Sequence, residues 1–366
     1  MNAAERSLII GTYTKDRAGT DECPSGILTA SFDGTRLANL ASVAELPNPS
    51  WVTATADGRG LYAVAETGDF ADTAGGGVAA YARDPVSGAV TLLNAVSSGG
   101  AEPAHLGLDP SERFVIAANY GGGSVSVFAR GDDGRLGAMT DRVQHHGSSI
   151  DPDRQTSPHP HQISFDPLSG DLLVPDLGLD TIFAYRLGAD GILTERRTAR
   201  IAASPGAGPR HLAFYPGGQY LFVANEVDST LGVWRRDGDG FVPVSGTATL
   251  PDGFTGHNQV SAVRISASGR SVLTANRGHE SIAVFAFDPD TGKLEPTLIA
   301  SSGGREPRDF VFAPDNARRL LVANQHTDTV TVFDFDEERP SLRFVSGTLV
   351  PAPACLRFLP SPGGGG

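Results

Sequence analysis

The chain has few of the features that several common protein classes require. Cys23 and Cys355 are its only cysteines, which is too few for a disulfide framework, and their spacing does not match a zinc site. Lysine is equally scarce, at Lys15 and Lys293, and the formal net charge is −13. Nucleic acid and anionic membranes both need clustered cations. We therefore expect neither as a partner, and the unpaired thiols favour a reduced, cytoplasmic location.

Long apolar segments are missing from the sequence as well. No run of 18 apolar residues occurs, and the N-terminus leads directly into a strand-like segment at residues 7–13 without the apolar core of a signal peptide. Apolar residues at helical spacing are also absent over any long stretch. Turn formers are plentiful instead, with 45 glycines and 25 prolines. This composition predicts an all-β protein of many short strands.

Residues 208–226 show the unit from which the chain is built. Residues 210–215 alternate in character, Pro-Gly-Gly at 216–218 supplies a turn, and residues 220–224 form a second apolar run. The pattern predicts a β-hairpin. Related hairpins recur at intervals of 46 to 57 residues. Each begins at an anchor residue, and the anchors are Pro49, Pro103, Pro160, Pro209, Val260, Pro307 and Pro353.

Seven copies with about four strands each predict a seven-bladed β-propeller. The last copy is incomplete, because Pro353 lies too close to the end of the chain at residue 366 for a second strand. Residues 8–13 can pair with residues 353–359 and complete that blade from the other terminus. We expect a single propeller over residues 1–360, followed by a flexible glycine-rich tail at residues 361–366.

The columns of the repeat predict where a ligand binds. In a propeller, equivalent positions of all blades converge at one mouth of the central channel. The positions after each anchor and at the end of each second strand vary irregularly among polar residues, which favours a ligand over a purely structural role. The expected catalytic residues are His161, Arg210, Glu226 and Arg277, and the expected substrate-binding residues are Glu66, His105, His159, His211, Arg308 and Gln325.

The four expected catalytic residues supply the acid, base and anion-binding groups of a hydrolytic site. Motifs of serine hydrolases, zincins, nucleotide-binding and dinucleotide-binding proteins are absent, so water is the expected nucleophile. We expect no metal and no cofactor. Either His161 or Glu226 fits the role of general base. The rival interpretation is that these charges are salt bridges lining a water-filled channel. A polar insertion at residues 141–157 is expected to form a lid or wall over the mouth.

Several segments carry a resemblance to a known family: residues 10–14, 48–50, 144–149, 159–161, 208–211, 224–226, 276–285 and 307–310. Over residues 8–358 the chain resembles the seven-bladed propeller lactonase family, which includes bacterial 6-phosphogluconolactonase and fungal carboxy-cis,cis-muconate lactonizing enzyme. It departs from the family pattern at Ala65 and Val260. The resemblance assigns a His, an Arg, a Glu and a second Arg to the site, and these match the four expected catalytic residues.

The resemblance implies hydrolysis of an anionic sugar lactone, and specifically of 6-phosphoglucono-1,5-lactone in the pentose phosphate pathway. Two alternatives remain open from the sequence. One is lactonization of a carboxymuconate by the same four residues, and the other is a non-catalytic propeller that binds protein partners. The expected partner is a small anionic lactone, and the expected assembly is a monomer or a weak homo-oligomer.

Overall fold

The computed structural model describes residues 5–14, 26–71 and 73–360. The predicted tail at residues 361–366 lies outside the described residues, as does Cys23. Within them, 31 strands form seven large antiparallel sheets and one two-stranded sheet. The innermost strands of successive sheets contact one another around a common axis. The fold is a seven-bladed β-propeller, as the repeat predicted.

The strands follow one another in chain order. The N-terminal strands are β1 Arg6–Thr12, β2 Ile27–Phe32 and β3 Leu37–Ala44. The next sheet and its small hairpin comprise β4 Val52–Ala54, β5 Gly60–Ala65, β6 Asp69–Phe70, β7 Thr73–Ala74, β8 Gly77–Arg83 and β9 Val90–Ser97. They are followed by β10 Pro103–Leu108, β11 Phe114–Asn119, β12 Ser124–Arg130 and β13 Leu136–Gln144.

The middle of the chain continues the same order. Here lie β14 Ser164–Phe165, β15 Leu172–Asp176, β16 Thr181–Leu187, β17 Leu193–Glu195 and β18 Ile201–Ala202. The next sheet holds β19 Pro209–Phe214, β20 Tyr220–Asn225, β21 Thr230–Asp237 and β22 Gly240–Ala248. Then come β23 Gln259–Ile265, β24 Ser271–Arg277, β25 Ser281–Asp288 and β26 Lys293–Ser301. The last strands are β27 Pro307–Ala313, β28 Asn316–Asn324, β29 Thr329–Asp336, β30 Ser341–Leu349 and β31 Pro353–Phe358.

The core lies between neighbouring blades rather than inside one sheet. Every residue of β20 is buried, because both faces of this strand are covered by adjacent sheets. One core cluster joins Leu8 and Ile10 of β1 to Leu321 and Val332 of the preceding blade. Each blade therefore buries its apolar residues only when its neighbours are in place.

The ring closes where the sequence predicted. Strand β1 pairs antiparallel with β31, with Leu8 opposite Phe358 and Gly11 opposite Cys355. Gly11 is required by the close packing at this seam, since a Cβ there would lie 2.3 Å from the carbonyl oxygen of Pro49. The two termini thus complete one sheet of four strands in the order β3-β2-β1-β31.

A β-bulge follows several of the anchor prolines. Pro209 lies opposite Asn225 and His211 lies opposite Ala224, so Arg210 has no partner in the ladder. The same shift leaves Arg308 unpaired after Pro307. A bulge redirects the extra residue out of the alternation of the strand. The sequence predicted a regular strand here, and it did not reveal this irregularity.

The described helices are three short 3-10 turns, at Leu177–Leu179, Arg197–Ala199 and Gln325–Thr327. In the described part of the chain, no helix has the length and apolar character needed to cross a membrane.

Candidate active site

A narrow cavity opens at one mouth of the central channel. All but one of its lining residues come one or two positions after an anchor, as the column argument predicted. Glu66 is the exception, and it follows the second strand of its blade. The lining consists of Ser50, Trp51, Glu66, Ala104, His161, Arg210, His211, Arg308 and Ala354. The bulges explain why the residue after the anchor faces this cavity in several blades.

Glu226 is enclosed by three arginines at this mouth. Its Oε1 accepts a hydrogen bond from Arg154 Nη2 at 2.5 Å, and its Oε2 lies 2.6 Å from Arg277 Nη2. Arg210 Nε forms an ion pair with Oε2 at 2.8 Å, at an angle that falls short of a hydrogen bond. Burial disfavours the ionised carboxyl, but the charges of Arg277, Arg210 and Arg154 outweigh it and hold the pKa of Glu226 well below its usual value.

Arg210 stays charged despite its burial. Desolvation and the nearby charge of Arg277 lower the pKa of Arg210 to about 9, while Glu226 opposes that shift. The guanidinium also donates from Nη1 to the carbonyl oxygen of Ser261 at 2.9 Å. A cation held by a carboxylate and a carbonyl has a fixed orientation, which suits it to stabilise negative charge in the adjoining cavity.

Glu66 has a different environment. Its Oε2 accepts a hydrogen bond from the Tyr13 hydroxyl at 2.8 Å and another from the Ser50 hydroxyl. Tyr13 in turn accepts a hydrogen bond from Arg308, whose guanidinium lies 4.7 Å from the centre of the tyrosine ring. Burial raises the pKa of Glu66, although Arg308 and the two hydroxyls act in the opposite direction. Arg308 thus reaches this carboxyl through a hydroxyl rather than by a direct ion pair.

His161 is a neutral imidazole in this site. Burial and the charge of Arg210 lower the pKa of His161 well below its usual value. Its Nδ1 is buried and has no hydrogen-bond partner among the described residues. The ring packs edge-on against Tyr120 and His211, with centroids 5.4 and 5.3 Å away. His211 has a pKa lowered by burial as well, so two uncharged imidazoles face the cavity.

Three of the expected substrate-binding residues do not line this cavity. His105 stacks on Trp51 with centroids 3.9 Å apart and borders a more open cavity further along the channel. His159 stacks on Tyr120 at 4.4 Å. Gln325 begins a 3-10 helix, and its buried Oε1 has no partner among the described residues. The expected catalytic residues Glu226 and Arg277 do not line the cavity either. Glu226 contacts the lining residue Arg210, and Arg277 contacts Glu226.

Arg154 is a site residue that the sequence reasoning did not single out. It belongs to the polar insertion at residues 141–157, and its Nη2 contacts both Glu226 and the Tyr120 hydroxyl, the latter at 3.1 Å. The insertion is tied down by Gln155, which donates to Leu177 and Asp180. The part of the segment that carries Arg154 therefore lies beside Glu226 but outside the lining of the cavity, and its role as a lid or wall stays a prediction. Only its unusual polarity signalled a role, because it has no counterpart in the other repeats.

Metal ligation has no geometric support within residues 5–14, 26–71 and 73–360, where no group of three or more His, Cys, Asp or Glu side chains could hold an ion.

Known proteins resemble this chain over nearly its whole length. A family model described as "Lactonase, 7-bladed beta-propeller" matches residues 7–358. A Bacillus subtilis protein named 6-phosphogluconolactonase is 36% identical over 355 residues, which are 96% of this chain and 97% of that protein. A solved Pseudomonas aeruginosa structure, titled a periplasmic gluconolactonase, superposes with a TM-score of 0.90 at 32% identity, covering 98% of this chain and 100% of the other. A putative 6-phosphogluconolactonase from Bacteroides fragilis gives a TM-score of 0.88 at 29% identity, covering 98% of both chains.

Proposed function

Because the chain belongs to the seven-bladed β-propeller lactonase family, we propose that it is a carboxylic-ester hydrolase that converts 6-phosphoglucono-1,5-lactone to 6-phosphogluconate. The observation that carries this proposal is the meeting of Arg210, Arg308 and His161 in one cavity. Two cations and a neutral base are gathered there in a protein whose formal net charge is −13. Such a site attracts an anionic substrate and can also activate water.

The two arginines have distinct tasks in this proposal. Arg210 is fixed by Glu226 and by the Ser261 carbonyl, so it stabilises the oxyanion that develops on the lactone carbonyl. Arg308 is held by Tyr13 and binds the phosphate group. Arg277 and Arg154 remain with Glu226 and keep Arg210 in place by completing the charge balance around that carboxylate.

His161 is the general base in this scheme. Glu226 is unsuited to the role, because both of its oxygens are engaged by arginines and its pKa is depressed. His161 is uncharged and therefore able to take a proton from water. The water oxygen attacks the lactone carbonyl carbon, a tetrahedral intermediate forms, and the bond between that carbon and the ring oxygen breaks.

The cellular setting follows the same proposal. We place the enzyme in the cytoplasm and in the pentose phosphate pathway, as a monomer or weak homo-oligomer without nucleic acid or membrane partners. The free thiol of the buried Cys355 fits a reducing compartment. Cell fractionation checks the location, and size-exclusion chromatography with light scattering checks the assembly.

The experiment that tests the function is a hydrolysis assay on freshly generated 6-phosphoglucono-1,5-lactone. Proton release is followed with purified protein and compared with spontaneous opening of the lactone. We expect a rate well above that background, and a weaker apparent affinity for glucono-1,5-lactone, which lacks the phosphate. A rate equal to the background on both lactones would overturn the proposal.

A further inference from the structure

Hydrolysis of a lactone needs a proton donor as well as a base. The ring oxygen leaves as an alkoxide, which is a poor leaving group unless it is protonated as the bond breaks. His161 takes up a proton in the preceding step, and Glu226 is saturated by arginines. Two groups that line the cavity can supply this proton, namely the protonated His161 formed in the preceding step and a carboxyl.

Glu66 is the one carboxyl that lines the cavity within the described residues. Both hydrogen bonds that its side chain accepts from Tyr13 and Ser50 go to Oε2. No described residue donates to Oε1, which leaves that oxygen able to carry a proton. In Glu226, by contrast, each oxygen contacts at least one guanidinium.

From this geometry we infer that Glu66 protonates the ring oxygen of the lactone as it opens. The inference rests on the proposed function and deepens it. Water adds to the carbonyl carbon and gives one proton to His161. When the bond from that carbon to the ring oxygen breaks, its electron pair goes to the oxygen, which receives the proton from Glu66. The proton on His161 then returns to Glu66, directly or through solvent, so both residues are restored, one water is consumed and a hydroxy acid is formed.

The surroundings of Glu66 are consistent with this role. Burial raises the pKa of Glu66, which favours the protonated form that a donor requires. The charged and titratable groups that face it are Tyr13, Arg308 and, at longer range, Glu102, with His161 and Arg210 on the same cavity. Because Arg308 acts through the Tyr13 hydroxyl, the carboxyl is positioned without being locked in its ionised form.

The test compares Glu66→Gln with Glu102→Gln. Both changes remove one carboxylate from the same region, but Glu102 is exposed and does not line the cavity. We expect Glu66→Gln to lower kcat on 6-phosphoglucono-1,5-lactone by about 100-fold or more, with KM changed less than about threefold, as is typical for loss of a general acid. The alkaline limb of the wild-type pH profile of kcat should disappear in this variant. Glu102→Gln should keep both the rate and the profile.

A second variant covers the case in which Glu66→Gln does not fold. Tyr13→Phe removes a donor to the carboxylate form of Glu66, so the pKa of Glu66 rises and the alkaline limb should move to higher pH. An active wild type with an unchanged profile in Tyr13→Phe, or with full kcat in Glu66→Gln, overturns this inference alone. A wild type that hydrolyses neither lactone overturns the proposed function and this inference with it.

Discussion

Glu66 and Glu226 occupy the same position of the repeat, and yet they have opposite surroundings. Each follows the second strand of its blade, directly after β5 and β20. In each blade the carboxylate contacts the residue after the anchor proline, which is Ser50 in one case and Arg210 in the other. One carboxyl therefore meets hydroxyl groups and the other meets guanidinium groups. The scaffold fixes where a carboxylate stands, and its neighbours determine whether it can hold a proton.

The largest effect should follow from breaking the arginine cluster. Glu226→Gln leaves Arg154, Arg210 and Arg277 without their shared carboxylate, so we expect a loss of about 3–5 kcal/mol in the free energy of unfolding. Urea denaturation followed by tryptophan fluorescence measures it, with Glu66→Gln as the matched control in the equivalent position. A loss no larger than that of the control would contradict the distinction between the two carboxyls.

The pH dependence sharpens this prediction. The pKa of Glu226 is depressed in the folded protein, so its stabilising contribution is fully present above the usual Glu range and is lost progressively as the pH falls from that range toward the depressed pKa. The difference in stability between wild type and Glu226→Gln should therefore stay constant between about pH 5 and 8. A difference that shrinks steadily over this interval would show that the ion pairs are weaker than their geometry indicates.

The next effect concerns His161, the proposed general base. His161→Gln should lower kcat by about 100-fold, because the amide cannot accept a proton from water. Stability should change little in comparison with Glu226→Gln, since Nδ1 of His161 has no partner among the described residues to lose. Lactone hydrolysis and urea denaturation of the same variant check the two expectations. Retention of full activity would remove His161 from the mechanism.

A smaller effect separates the two arginines that line the cavity. Arg308→Lys keeps the charge but loses the planar donor pair, so KM for the phosphorylated lactone should rise about tenfold. The rate on glucono-1,5-lactone should hardly change, because that substrate has no phosphate to bind. An equal loss on both lactones would assign Arg308 to the reacting carbonyl instead.

The smallest effect is expected from replacing Arg154 in the polar insertion. Arg154 is partly exposed and is one of three cations on Glu226, so Arg154→Met should cost less than about 1 kcal/mol in stability. Urea denaturation measures this change beside Glu226→Gln. A loss as large as that of Glu226→Gln would show that the insertion, and not the ring, holds the cluster together.

The sequence was sufficient to predict the ring, because the anchors repeat and the last repeat is visibly incomplete. It also predicted that residues after the anchors face one cavity, as Arg210, His161 and Arg308 do. It assigned Glu226 to catalysis and Glu66 to substrate binding, but it did not reveal that arginines surround the first carboxyl and hydroxyl groups the second. That difference depends on partners from other blades and from the insertion, namely Tyr13 and Arg154, and such contacts have no repeat in the sequence.

His105 and Gln325 occupy repeat positions that they share with residues of the cavity, and yet they do not line it. A position shared with site residues does not determine depth in the channel or the direction of a side chain. His105 stacks on Trp51, and its Nδ1 accepts a hydrogen bond from the Ile163 amide at 3.2 Å. His159 precedes its anchor and is partly exposed; it stacks on Tyr120 and donates from Nδ1 to the Tyr120 carbonyl oxygen at 2.9 Å. The bulges that direct Arg210 and Arg308 into the cavity could not be predicted either, because no pattern of residue types marks them in the sequence.

A crystal structure with bound 6-phosphogluconate would show which residues surround each end of the product. We expect the sugar acid in the cavity at the mouth, with its phosphate on Arg308 and its carboxylate beside Arg210. The hydroxyl that was the ring oxygen should lie within hydrogen-bond distance of Glu66, while Glu226 keeps its arginines. A product bound at the other end of the channel, or bound at this mouth with its reacting end on Glu226, would contradict these assignments.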